Sequence, residues 1–176
     1  MAAADKITPA LAGALEALKL ARREVAEVER DPERWRWVSV GLVTALKCAA
    51  IAALSAYETA NDADTLDLKS PTKVAPLKLL LRRARSDEFL LPPEQLPATA
   101  RQIEAVLRLA AYRNDVLHGG AGDRAASIVG DANTCVILIR HFLEGAPAFD
   151  PSDYAVHCAL VSDELTAIEA ALRQLG

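Results

Sequence analysis

From Val38 to Leu54 the chain is apolar apart from Lys47 and a few small hydroxyl residues. The stretch approaches the length needed to span a membrane. Lys47 lies at its middle, however, where a cation costs about 2.5–3.5 kcal/mol even on the lenient insertion scale, and the surrounding alanines offset little of that. The better expectation is a helix inside a protein. Val38, Leu42, Ala45, Ala49, Ala52 and Ala56 recur at four- and three-residue steps, and the opposite side is apolar too. A helix apolar nearly all round must be enclosed by other elements. The small residues let those neighbours come close, and Asp31-Pro32, a capping residue followed by proline, marks where the segment starts.

The rest of the chain has to supply the enclosure. Hydrophobic residues make up 52% of it and aromatic residues only 5%, so Ala, Leu and Val fill the core, which suits helices better than sheets. Few segments alternate apolar and polar residues. The fold class predicted is all-α, an up-and-down bundle of about five to six helices. A length of 176 residues fits one domain.

A first helix is predicted from Thr8-Pro9 towards Arg30, with Leu11, Leu15, Leu18, Val25 and Val28 inward and Lys19, Arg22, Arg23, Glu24 and Glu27 mostly turned to water. A polar loop follows the central helix from Asn61 to Ser70. A third helix is predicted over Pro71–Ser86, and a fourth from about Ala98 to His118 with Ile103, Val106, Leu107 and Ala110 inward. A fifth covers roughly Asp131–Glu144. The last, opened by Asp150-Pro151, carries Tyr154, Cys158, Val161, Leu165, Ile168, Leu172 and Leu175 at unbroken four-three spacing. That stripe either closes the bundle or pairs with a second copy.

The formal charge of −4 provides no global cationic field for nucleic acid, so any such site must be local. The one basic cluster is Lys78, Arg82, Arg83 and Arg85 on the third helix. It reads first as a solvated face and second as a weak substrate-binding patch for phosphate through Arg82, Arg83 and Arg85. Cys48, Cys135 and Cys158 are far apart and odd in number, which suits reduced thiols of an intracellular protein and no metal site. The N-terminus lacks the apolar core of a signal peptide, so a cytoplasmic location away from membranes is expected. His141 and His157 sit on apolar helices without a carboxylate or Cys at ligand spacing, and Ser39, Ser55 and Ser162 lack a nucleophile-elbow context.

The fourth helix ends in Tyr112-Arg113-Asn114-Asp115-Val116-Leu117-His118-Gly119-Gly120. Arg113 and His118 are five residues apart, about 500° of helical rotation, so they point roughly 140° away from each other. Asn114 and His118 share a face. One chain cannot easily aim both the guanidinium and the imidazole at one atom. Either the helix changes course at the glycines, or two copies pool these residues around a twofold axis. Taken alone, an Arg and a His at a helix C-terminus are also ordinary caps for free carbonyls.

Arg113 through His118, an Arg, a polar residue, a short spacer and then a His, resembles the signature of HEPN domains (higher eukaryotes and prokaryotes nucleotide-binding), and the following Gly119 is similar too. The motif covers six residues, and the helical context extends the resemblance loosely over about residues 31–145, leaving the final helix of about 151–175 outside it. The resemblance implies a bundle of four or five helices, usually a homodimer, whose active members cut RNA without metal or cofactor, some as toxins or in defence. Arg113, Asn114 and His118 then become the catalytic set. His118 would take a proton from a ribose 2′-hydroxyl or give one to the leaving 5′-oxygen, Arg113 would hold the phosphate, and Asn114 would hold the ring or a phosphate oxygen. Toxin members inactivated by a nucleotidyltransferase antitoxin carry a Tyr two residues after the His. Here that residue is Gly120, a departure from that form of control, while an antitoxin partner stays among the expectations. The competing function, carried by the acidic balance and the C-terminal stripe, is a non-catalytic module binding a nucleotide or a protein.

Overall fold

Enclosure of the apolar segment organises the molecule. The computed structural model describes residues 6–57, 60–118 and 127–176. It contains α1 (Ile7–Val25), α2 (Trp35–Ala56), α3 (Leu77–Ala84), α4 (Ala100–Leu117), α5 (Ile128–Arg140) and α6 (Ala155–Leu175). Among the described residues there is no strand, only an isolated bridge between Leu66 and Val74. The protein is an all-α helical bundle.

α2 is its axis, packed by α1, α3, α4 and α5. Val38, Leu42, Leu46, Ala49, Ala50 and Ala53 are all buried, which accounts for apolar character on every side. Pro32–Ala56 is long and apolar enough to cross a membrane, with mean hydropathy 1.9, yet 72% of its most apolar stretch is covered by the protein itself. α1 runs back along α2, and the small residues set how near it comes. A Cβ on Gly41 would lie 2.6 Å from the Ala17 carbonyl oxygen, and one on Gly13 would lie 3.1 Å from Cys48 Sγ. Glycine at position 41 is therefore required by backbone contact.

Asp31 accepts a hydrogen bond from the Glu33 backbone N–H (3.1 Å) and opens a short 3-10 turn, Pro32–Arg34, that leads into α2. Asp150 does the same for Ser152 (2.9 Å) ahead of α6. Both sequence signals thus act as N-caps. The α6 stripe closes the bundle: Val161, Leu165, Ile168 and Leu172 are buried where α6 packs on α1 and α5.

Several expectations need correction. α1 begins at Ile7 without a side-chain cap, so Thr8 and Pro9 lie inside its first turn, and regular helix ends at Val25 with turns continuing to Arg30. Glu24 is buried rather than turned to water: its carboxylate accepts from Arg23 Nε (2.9 Å) and Arg34 Nη1 (2.8 Å), tying the end of α1 to the start of α2.

The third helix is only Leu77–Ala84. Residues 66–76 instead form a loop closed by Asp67 N–H to Lys73 O (2.9 Å) and Ala75 N–H to Thr65 O (2.9 Å), and Pro76 ends it in an extended conformation. On α4 the buried residues are Ala105, Val106 and Leu109, while Ile103, Leu107 and Ala110 are half-buried. α5 starts at Ile128 and gives way after Arg140 to a wider turn over His141–Gly145. Gly119 and Gly120, expected to stop α4, lie outside the described residues.

Candidate functional site

α4 carries the motif, and two devices hold it in place. At its start Thr99 and Gln102 form a reciprocal capping box: Thr99 Oγ1 accepts from the Gln102 N–H (3.2 Å) and Gln102 Oε1 from the Thr99 N–H (2.9 Å). Midway, the Arg108 guanidinium donates twice to the buried Asp131 carboxylate on α5, at 3.1 and 2.7 Å, and Ser127 Oγ adds a third bond. Hydrogen bonding to Asp131 is the main influence raising the Arg108 pKa, with burial acting the other way. Such a fork fixes direction as well as distance.

Beyond that anchor the last turns of α4 are largely uncovered. Arg113 is half-buried, and Asn114 and His118 are exposed. Arg113 Nη1 donates to Asn114 Oδ1 (3.0 Å), so the amide orients the guanidinium, not the imidazole. Arg113 Nε is buried with no hydrogen-bond partner. His118 forms the helix end, its backbone N–H donating to the Asn114 carbonyl (3.0 Å).

Arg113 and Asn114 open into a cleft of about 480 Å³ between α2, the start of α3 and α4. Thr44, Lys47 and Cys48 of α2 form its far wall, with Val74 and Pro76 at one side. Its described lining contains two cations, Lys47 and Arg113, and no carboxylate. His118 is not part of that lining. Within one chain the structure brings Arg113 and Asn114 together and leaves His118 on the outer surface, the divergence expected from five residues of helix.

Of the basic cluster, Lys78, Arg82 and Arg85 line a second, larger cleft of about 660 Å³. Arg83 departs from the expectation of a substrate contact. It is buried, donates to the Asp64 and Leu66 carbonyls (2.9 and 2.8 Å), and lies 5.7 Å over the Phe89 ring. It ties the turn over Asp62–Thr65 and the start of the 66–76 loop to α3. His141 Nε2 sits 3.3 Å from the Glu94 carbonyl, and His157 is half-buried on α6.

Lys47 is the residue the motif did not disclose. It is the only charged side chain between Val38 and Ala56, and among the described residues it has no carboxylate within ion-pair distance. A lone cation in an apolar helix was the available signal. What it faces required the packing of α2 against α4.

No protein-family model matches the chain, and no curated protein or solved structure matches it.

Proposed function

We propose that the protein is a HEPN-like, metal-independent endoribonuclease whose site is completed when two copies meet at the ends of their α4 helices. The observation that carries the reading is the division of labour on α4. Arg113 is oriented by Asn114 into a cation-lined cleft, while His118 stands exposed outside it. In the dimer we propose, isologous about a twofold axis, His118 of one protomer lies at the Arg113 cleft of its partner.

The chemistry uses what these side chains offer. A 2′-hydroxyl attacks the adjacent phosphorus: the new 2′-O–P bond forms as the P–O5′ bond breaks, leaving a 2′,3′-cyclic phosphate and a 5′-hydroxyl. The neutral His118 imidazole accepts the 2′ proton, and the imidazolium so formed passes it to the departing 5′-oxygen. Arg113 neutralises charge growing on the phosphoryl oxygens through its planar donors. Only RNA carries the internal nucleophile, so DNA resists. The setting we propose is the cytoplasm, in a toxin or defence role.

The test is cleavage of mixed RNA in EDTA. The protein is expected to cut, His118→Ala is expected to lose about 10²-fold or more of the rate, and the fragments are expected to end in cyclic phosphate. Intact RNA with the unaltered protein overturns the nuclease reading. That result favours a non-catalytic nucleotide-binding module, which the separation of His118 from the cleft within one chain also supports.

A further inference from the structure

Most of the unpaired cations of this acidic protein gather at two clefts. Lys6, Lys19, Arg22, Arg23, Arg30, Arg34, Arg36, Arg108 and Arg140 each pair with a carboxylate. Among the described residues ten others do not; six of these, Lys47, Lys69, Lys78, Arg82, Arg85 and Arg113, line one or other of two neighbouring clefts, while Lys73, Arg83, Arg101 and Arg173 line neither. Pro76 lines both, so the clefts meet there. Against the six cations the combined lining holds one carboxylate, Asp67, and its Oδ1 accepts from the Lys69 backbone N–H at 3.1 Å.

Unpaired cations crowded together repel one another, at a cost that a bound polyanion removes. Arg113 adds a buried, partnerless Nε at one end. Between the charges the walls are apolar. Leu79, Leu81 and Ile103 line the larger cleft, and Leu68, 72% exposed, stands at its rim on the loop that Arg83 holds down. Charge at intervals with apolar surface between suits a chain that alternates phosphates with flat bases, and an extended single strand is what a bent surface groove accommodates.

We infer that the two clefts form one track for a single RNA strand, with Lys47 and Arg113 holding one phosphate and Lys69, Lys78, Arg82 and Arg85 holding phosphates further along the same strand. The inference rests on the proposed reading only in taking RNA as the ligand. It assigns binding to Lys47, which the motif does not contain, and to a second cleft where no chemistry occurs. Arg83, engaged with backbone carbonyls, takes no part.

The experiment is fluorescence anisotropy in EDTA with an end-labelled 2′-O-methyl oligoribonucleotide, which has no free 2′-hydroxyl and stays intact whether or not His118 is catalytic. Wild type is expected to bind with an affinity that falls as salt rises. Lys47→Gln alone and the pair Arg82→Gln with Arg85→Gln are each expected to weaken binding about three- to tenfold and to shallow the salt slope by about 0.7 per phosphate contact removed. Lys47→Arg keeps the charge and is expected to bind normally, which guards against a folding defect in the Gln variant. Arg173→Gln, on α6, is the neutral control.

Absence of binding, or variants of either cleft binding like wild type, overturns the single-track assignment. So does full competition by adenosine monophosphate at concentrations matching the oligonucleotide, because a mononucleotide occupies one cleft only. Track-dependent binding together with intact RNA in the cleavage assay sinks the nuclease reading and leaves the track standing.

Discussion

At the end of α1, Glu24 is only 3% exposed and still ionised. Burial is the largest single influence on it and raises its pKa, but hydrogen bonds and charge from Arg34 and then Arg23 together outweigh burial and hold the carboxyl below its ordinary 4.5. A carboxylate with a lowered folded pKa contributes stability that is fully present above the unfolded value and is lost as pH falls through the folded one. The stability difference between wild type and Glu24→Gln is therefore expected to be constant from neutral pH down to about 4.5 and to shrink below it, as read from denaturant midpoints across pH. A difference that grows on acidification contradicts the assignment. Residue-level facts of this kind were the least legible in the sequence. Glu24 follows Arg22 and Arg23 and looks like one more exposed charge, and its burial depends on Arg34 arriving from the next helix. Arg83 is likewise indistinguishable from Arg82 in the sequence, and only the 66–76 loop separates their roles. Lys47 was conspicuous as a lone charge, but its partner in the cleft lies on α4, far along the chain.

Elements were easier to read, because capping and periodicity are local. Asp31-Pro32 and Asp150-Pro151 announced the turns that lead into α2 and α6, and the middle of the α6 stripe, Val161 to Leu172, became its buried face, with Tyr154 in the preceding turn and Cys158 and Leu175 half-buried. The third helix was overestimated because tertiary contacts drew residues 71–76 into a loop, with Pro76 as the last extended residue. The all-round apolar pattern of α2 disclosed burial but not which neighbour comes closest. That is α1 at Gly41, where an added Cβ would meet Ala17 O at 2.6 Å and Ala21 Cβ at 2.9 Å. Gly41→Ala has better intrinsic helix propensity by about 1 kcal/mol, yet the helices must separate to admit the methyl group. Overpacking of this kind costs about 1–3 kcal/mol. The variant is expected to unfold at a lower denaturant concentration than wild type, and a higher midpoint contradicts backbone contact between α1 and α2.

For the whole molecule, the bundle leaves the last turns of α4, with Asn114 and His118, largely exposed while it buries Val161, Leu165, Ile168 and Leu172 of the α6 stripe. The proposed site joins the Arg113 cleft of one copy to the outward His118 of another across a twofold axis. The most direct measurement is RNA cleavage in EDTA by heterodimers of Arg113→Ala and His118→Ala, isolated through two different tags. Each homodimer lacks every intact Arg–His pair and is expected to be inactive, whereas the heterodimer retains one of two and is expected to recover about half of the wild-type rate. Heterodimers as inactive as either parent contradict a site shared between two copies, and so does a chain that forms no dimer to isolate.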